Sequence, residues 1–442
     1  MANLTNTIQP DNSLNSVLPC YQPQTTHLME EALSAENLDK AWKRVKANKG
    51  AAGIDGLTIN RFVAHFGAQS STLIDEIRHG RYQPYPVKRV YIEKDDGGLR
   101  GLGIPTVFDR VIQQAIVLVL QRIFDPTFSE YSFGFRPEHS QHQAIRCVQG
   151  YLEDGHRTAV DVDLSKFFDR VNHDFLMTQL GRRIEDKRLL KLIAKYLRAG
   201  IVDDGVLYET REGVPQGGPL SPLLSNVVLD LLDKELEHRG HKFARYADDF
   251  IILVNSKRAG DRVLASITRF VERKLKLKVN DQKSRVVPTS KSKFLGFKFH
   301  GKSLRWHPDS VVKFKRRIRE LTGRSWGVSM ETRIKELNTY LRGWINYFGI
   351  AQGYQQSIDL DHWIRRRLRM CHWKQWKNAR TRVKNLKRMG VDGKLSVTSG
   401  ASQKGHWRNS KTKGINIALS LEYFEQKGLF SLRDRWVVIH YG

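Results

Sequence analysis

Tyr246-Ala247-Asp248-Asp249 constrains this chain more than any other stretch. Two adjacent carboxylates stand between a short basic segment, Lys242 to Arg245, and an apolar run, Phe250 to Val254. The flanks read as two strands, which places the acids at or near the tip of a tight β-hairpin. Carboxylates paired in this way offer hard oxygen ligands that match Mg²⁺ and Mn²⁺. An Asp-Asp pair is equally an ordinary feature of solvated turns. The metal reading therefore rests on what accompanies the hairpin.

A second acidic strand accompanies it. Thr158 to Leu164 alternates with period two: Val160, Val162 and Leu164 share one face, Asp161 and Asp163 the other. Asp163 at a strand end and Asp248-Asp249 at a hairpin are acids from separate strands, with a Gly-rich loop between them in sequence. That is the spacing of a polymerase palm, where metal ions activate a 3′ hydroxyl and stabilise the leaving pyrophosphate. Asp161 sits one step earlier on the same face and is read as a supporting residue.

The chain has 442 residues and 40% hydrophobic content, enough for a core and for about two to four domains. Its formal net charge of +28 calls for a polyanionic partner. Residues 301–442 carry +20 of that and the first 300 residues +8. Aromatic and apolar residues interleave the basic runs, as in Trp363 to Arg369 and Trp373 to Lys377. This suits phosphate contact with stacking or packing, and argues against a disordered basic tail. Cys20, Cys147 and Cys371 lie far apart, which excludes a disulfide framework and makes no zinc pair. The segment Met1 to Gln24 is polar and lacks a signal-peptide core. The apolar stretch within Val111 to Leu120 is too short to span a bilayer. The expectation is a soluble, cytoplasmic, nucleic-acid-associated protein with no membrane partner.

Along the chain, residues 1–27 read as a loose leader and Leu38 to Val45 as an amphipathic helix. Lys46 to Gly56 reads as a Gly-rich basic loop. Val87 to Glu93 and Leu99 to Ile104 read as strands joined by Asp95-Asp96-Gly97-Gly98. Helices are expected over Asp109 to Phe124, Asp174 to Leu180, Leu223 to Leu236 and Arg262 to Lys274. Short strands are expected around Lys276 to Val279 and Phe294 to Phe299. Beyond about residue 310 the pattern is helical, with Ile334, Leu337, Leu341 and Ile345 as a bundle-core stripe. The fold class is α+β, a sheet backed by helices.

The blocks Asp163-Leu164-Ser165-Lys166-Phe167-Phe168-Asp169, Pro215-Gln216-Gly217-Gly218-Pro219-Leu220-Ser221-Pro222, Tyr246-Ala247-Asp248-Asp249, Asn280-Asp281-Gln282-Lys283-Ser284 and Phe294-Leu295-Gly296-Phe297 occur in reverse-transcriptase order. Gly103 to Arg110, Tyr131 to Pro137 and Arg342 to Phe348 resemble the group II intron reverse transcriptases in particular, and the compact length resembles the bacterial class C type. The resemblance runs from about residue 30 onward. It implies a right-hand polymerase with an antiparallel palm sheet: fingers and palm over 28–300, an α-helical thumb or maturase domain over 301–370, and a small basic DNA-binding domain over 371–442. Cys371-His372 stands alone, so no finger-type endonuclease is expected.

The same resemblance implies residue roles. Asp163, Asp248 and Asp249 would be catalytic and hold two Mg²⁺, with Mn²⁺ able to substitute. Asp249 would contribute more to charge and hairpin geometry. Phe168 would lie under the nucleotide sugar and collide with a 2′-OH; Phe167 is the next candidate, and an ordinary core Phe the alternative. Lys94 and Arg100 would clamp the incoming triphosphate, with ordinary surface charge the alternative. Gln216 would reach the nascent pair, since its glycine neighbours allow close backbone approach. Lys283 would protonate the leaving pyrophosphate, with a plain exposed Lys the alternative, and Phe294 to Phe297 resembles a primer grip, with hydrophobic packing the alternative. Lys46 to Gly56 resembles the N-terminal segment that embraces template RNA. The implied partners are template and group II intron RNA, DNA primer or target, and deoxynucleoside triphosphates, in a bacterial cytoplasm near the nucleoid. The implied function is an RNA-directed DNA polymerase that also binds intron RNA. Two alternatives stay open: a maturase acting mainly as an RNA-binding splicing factor, and a domesticated enzyme of host defence or DNA repair. An RNA-directed RNA polymerase is disfavoured by Phe168 and the fingers blocks.

Overall fold

The computed structural model describes residues 25–93 and 97–442, so Lys94 and most of the leader lie outside the described residues. The chain divides into two compact units. One comprises the described residues up to Ser129 with Lys166–Leu232 and Arg273–Lys278; the other comprises Glu130–Ser165, Asp233–Glu272 and Val279–Gly442.

In the first unit the helix Val107–Phe124 is almost wholly buried and packs against the helix Ala35–Ala47. Its start is fixed by Thr106, whose hydroxyl accepts from the Asp109 N–H (3.1 Å) and donates to the Asp109 carboxylate (2.7 Å). Tyr82 donates to the same carboxylate at 2.7 Å. Burial pushes the Asp109 carboxyl up, and these donors oppose the shift. Strands Val87–Glu93 and Leu99–Ile104 pair as an antiparallel hairpin, Lys88 opposite Ile104. Ile201–Asp203 adds in parallel to the first of them, and Val206–Tyr208 closes the sheet. A Cβ on Gly103 would stand 2.8 Å from Val87 Cγ2, and the Gly103 N–H donates to Gln216 at 2.8 Å. Only glycine allows that approach.

The second unit carries a four-stranded antiparallel sheet in the order Lys242–Tyr246, Asp249–Val254, Thr158–Val162, Arg285–Pro288. Its helical part includes Pro308–Leu321, Met330–Phe348 and Tyr354–Gln375, followed by shorter helices to Tyr441. Ile334, Leu337, Leu341 and Ile345 are buried as the helical stripe requires. Trp344 packs edge-on against Trp306 (4.7 Å) and tilted against Phe314 (4.5 Å). Arg333 is buried beneath this layer. Its guanidinium donates to the carbonyls of Leu321 (2.9 Å), Gly323 (3.1 Å) and Trp326 (3.0 Å). It thereby closes the end of the helix Pro308–Leu321, where carbonyls have no intrahelical partner.

The α+β class agrees with the expectation. Two local expectations do not hold. Lys276 to Val279 is not a strand: Lys276 is left-handed (φ +56°), and Val279 alone bridges Leu164. The fourth palm strand is instead Arg285–Pro288. Phe294 to Phe299 begins as a turn, with Leu295 (φ +50°) and Gly296 (φ +83°) left-handed, so the strand starts at Phe297. The short strands Ile201–Asp203 and Val206–Tyr208 had no clear sequence signal.

Arg333→Ala strips donors from three carbonyls and is expected to lower the stability of the helical part by about 3 kcal/mol. A urea titration reads this as a lower midpoint; an unmoved midpoint contradicts the capping role.

Candidate active site

The sheet register places the acids. Val162 pairs with Phe250 and Asp161 with Ile251 across antiparallel strands. Continuing by one residue sets Asp163 opposite Asp249, with both side chains on the face that carries Asp161. Tyr246 pairs with Asp249, so Ala247 and Asp248 are the central residues of a two-residue turn. Ala247 is left-handed (φ +58°), at a turn position usually occupied by glycine.

That backbone is held by a buried guanidinium. Arg245 and Asp233 are both fully buried, and Arg245 Nε donates to the two Asp233 oxygens at 2.7 and 3.0 Å. Arg245 also donates to the Ala247 carbonyl at 2.9 Å and to Ser132 Oγ at 2.6 Å. The segment Tyr131 to Gly134 lies beside the hairpin strand. The Arg245 N–H donates to Tyr131 at 2.8 Å, and the Phe133 N–H to Arg245 at 2.8 Å. A Cβ on Gly134 would fall 2.2 Å from the Ala247 nitrogen. Arg245, Asp233, Ser132 and Gly134 are site-building residues that sequence reasoning missed. The available signal was an arginine in a strand position flanked by inward-facing apolar residues.

Asp163 is anchored through its main chain. Its N–H donates to Ser284 Oγ at 3.0 Å, and its carbonyl accepts from the Asn280 N–H at 2.8 Å. The Asn280-to-Ser284 block is therefore the clamp on Asp163. Lys283 is exposed within that block. Asp161 accepts from Ser292 Oγ at 2.7 Å and faces Arg285 at 3.5 Å, in keeping with a supporting place.

The Asp249 carboxyl is pushed up to about 7, first by the dense protein around it, then by the like charges of Asp248 and Asp161, with Asp163 contributing less. The Leu295 N–H bonds to this carboxyl and opposes the shift. Asp249 nevertheless keeps solvent contact, so water screens part of the repulsion. Leu295 is held in turn: Tyr347 Oη donates to its carbonyl at 2.8 Å, and Ser310 Oγ donates to Gly296 at 2.7 Å. Among the described residues no group of three or more His, Cys, Asp or Glu side chains is set to hold a metal ion by itself.

The remaining candidates belong to the first unit. Phe167 is buried, whereas Phe168 is half-buried and meets it edge-on at 5.1 Å. The Phe168 carbonyl accepts from the Val214 N–H at 2.6 Å. Gly213 is left-handed (φ +91°), and a Cβ there would stand 3.0 Å from that carbonyl. Gln216 is half-buried in a loop where a Cβ on Gly217 would meet Gly103 at 2.6 Å. Arg100 is exposed on its strand opposite Ile92.

Asp163 at a strand end and Asp248-Asp249 at the adjoining hairpin thus stand on one side of the sheet's end. Residues 92–299 match the reverse transcriptase (RNA-dependent DNA polymerase) family, and residues 311–390 match the group II intron, maturase-specific domain. Protein YkfC of Escherichia coli K12 is 36% identical over 291 residues, covering 57% of this chain and 76% of that protein. The group II intron-encoded protein LtrA of Lactococcus lactis is 27% identical over 418 residues, covering 72% of this chain and 69% of that protein. Nuclear intron maturase 2 of Arabidopsis thaliana is 28% identical over 208 residues, covering 38% of this chain and 28% of that protein. The chain belongs to the reverse transcriptases of the group II intron type. It is an RNA-directed DNA polymerase, and its family works with divalent metal ions on nucleic acid. No helix among the described residues is long and apolar enough to cross a membrane.

Arg245→Lys keeps the charge but cannot serve Asp233, Ser132 and Ala247 together. Primer extension by this variant is expected to fall about 100-fold, the usual consequence of a misplaced reacting group. An unchanged kcat contradicts the positioning role.

Proposed function

We propose that the chain copies RNA into cDNA with two Mg²⁺ ions held by Asp163, Asp248 and Asp249. The observation that carries this is the register that brings Asp163 opposite Asp249 beside the Asp248 turn. The donor set fits the group. Its oxygens are hard, and their mutual repulsion, evident at Asp249, is what a divalent cation relieves. Mg²⁺ takes one or two carboxylates and completes its shell with water and substrate phosphate, which these acids can share. When bound, the ions supply activation of the primer 3′ hydroxyl and stabilisation of the leaving pyrophosphate.

The chain's other residues bind and select. Phe168, the more accessible of the two phenylalanines, excludes a 2′-OH and so favours deoxynucleotides. Lys94 and Arg100 bind the triphosphate, Gln216 contacts the nascent pair, and Lys283 supplies a proton to pyrophosphate. Residues 28–300 act as fingers and palm, 301–370 as thumb and maturase domain, and 371–442 as the basic nucleic-acid-binding part. Lys46 to Gly56 lies against template RNA, and the Leu295-Gly296 turn, set on the buried Phe294 and Phe297, supports the primer. The match of 311–390 to the maturase-specific domain, and the names of the relatives, favour a second role in binding intron RNA for splicing and mobility. The reaction then takes place beside bacterial DNA.

Replacing Asp248 and Asp249 together by Ala is expected to lower primer extension by more than about 1000-fold, a loss on the order of 4 kcal/mol in the transition state. RNA affinity in a filter-binding assay should stay within a few-fold. Extension persisting in that variant contradicts the assignment of the acids. Phe168→Ala should raise ribonucleotide incorporation by about tenfold or more, read as the ratio of kcat/KM for ribo- and deoxynucleotides. Unchanged rejection of ribonucleotides would remove the gate.

A further inference from the structure

Three arginines on the helix Tyr354–Gln375 are turned toward one cleft; Arg365 feels the charges of Asp361, Glu425 and Asp434, whereas no carboxylate acts on Arg366 or Arg369. Arg365, Arg366 and Arg369 line a cavity of about 540 Å³, together with Lys411, Trp363 and Leu421. No carboxylate lines it. None of the three forms an ion pair among the described residues, although each is only partly exposed. Burial pushes Arg369 down to about 10 and lowers Arg365 and Arg366 as well.

Two of the arginines, Arg366 and Arg369, are held in place by the protein. Arg366 lies 3.6 Å over the Trp407 ring and donates to the Trp407 carbonyl at 3.2 Å and Ser410 Oγ at 3.4 Å. Arg369 Nε donates to the Leu419 carbonyl at 2.9 Å. A guanidinium withdrawn from water, held in place and left without a carboxylate, as Arg369 is, is costly unless an anion arrives. Planar forks of this kind suit phosphate oxygens. The exposed apolar surface of Leu421 and the part of the Trp363 indole that lines the cleft offer a base a place to pack, while Lys315, Arg319 and Arg367 stand 5.4–5.9 Å from the same ring.

We propose that this cleft binds an unpaired nucleotide of a nucleic-acid strand, with its phosphates on Arg365, Arg369 and Lys411 and its base against Trp363 and Leu421. The volume suits one nucleotide and its flanking phosphate. A duplex keeps its bases stacked inward and cannot offer one to such a cleft. The inference rests on the reading of the basic C-terminal part as a nucleic-acid surface, and narrows it to one site and one strand form.

The test uses the full chain with Arg365 and Lys411 both changed to Gln. Fluorescence anisotropy measures binding of a labelled 12-mer as single-stranded RNA, as single-stranded DNA and as an RNA duplex, over a range of KCl. Affinity for at least one single strand should fall about tenfold or more, and the slope of log K against log salt should shrink by about 1.4, the value for two lost phosphate contacts. Duplex affinity should change less than twofold. The RNA and DNA arms tell which strand supplies the nucleotide. A control variant, Lys394→Gln with Lys404→Gln, removes the same charge from the same region outside the cleft. Equal losses in both variants, or equal loss for duplex and single strand, overturn the cleft while leaving a diffuse basic surface. No loss in either variant overturns the cleft and the broader reading together. Arg365→Lys with Lys411 intact keeps the charge, so its affinity should remain closer to the wild type than that of the double variant. A loss as large as the double variant's would point to damaged packing and overturn the proposal.

Discussion

Everything in the second unit turns on one register: Val162 across from Phe250. A slip of one residue would send each side chain to the opposite face of the sheet. Asp161, Asp163 and Asp249 would then enter the packing that now surrounds Val160 and Ile252. Both faces are packed along most of the pair, Val160, Val162, Phe250 and Ile252 on one and Ala159, Ile251 and Leu253 on the other, so the acids find room only toward the strand end, where Asp163 and Asp249 reach solvent. The same apolar burial that stabilises the sheet therefore decides where the acids gather.

Gathering acids is unfavourable, and the chain compensates without filling the site. Backbone groups anchor Asp163, so neither of its carboxylate oxygens is consumed. The positive charge nearest the turn in sequence, Arg245, is spent inward on Asp233 and on the Ala247 carbonyl. A buried pair of this kind gains little net stability over apolar packing. Its value is geometric: it holds a non-glycine residue in the left-handed region, at a cost on the order of 1–2 kcal/mol. Leu295 contributes in the same way, a left-handed residue pinned by Tyr347 whose N–H reaches the Asp249 carboxyl.

Period-two alternation made the strand Thr158–Val162 readable, and two apolar or basic flanks made the acidic hairpin readable. The strands Val87–Glu93 and Leu99–Ile104 were legible end to end because turn residues bound them. The helix Val107–Phe124 was legible except for its first residues, which lie at the Thr106 cap. What could not be read depended on tertiary partners. Lys276 and Leu295 have no local reason to be left-handed, and both broke expected strands. Arg245 looked like one more cation in a basic chain until Asp233, twelve residues earlier on a helix, was seen against it. The Asn280-to-Ser284 block was recognisable as a family signature, but its physical task, holding the Asp163 backbone, is visible only in the hydrogen bonds. The arginines of Trp363 to Arg369 read as a helical basic run, and their sequence spacing gave no hint that three of them share a cleft.

The most direct test of the shared acid site is anomalous diffraction from crystals of the full chain soaked in Mn²⁺. The account predicts a manganese peak bonded to the carboxylates of Asp163 and of the Asp248–Asp249 hairpin, lost in an Asp163→Asn crystal. Manganese bound only at other acids, or an undiminished peak in that variant, would contradict it.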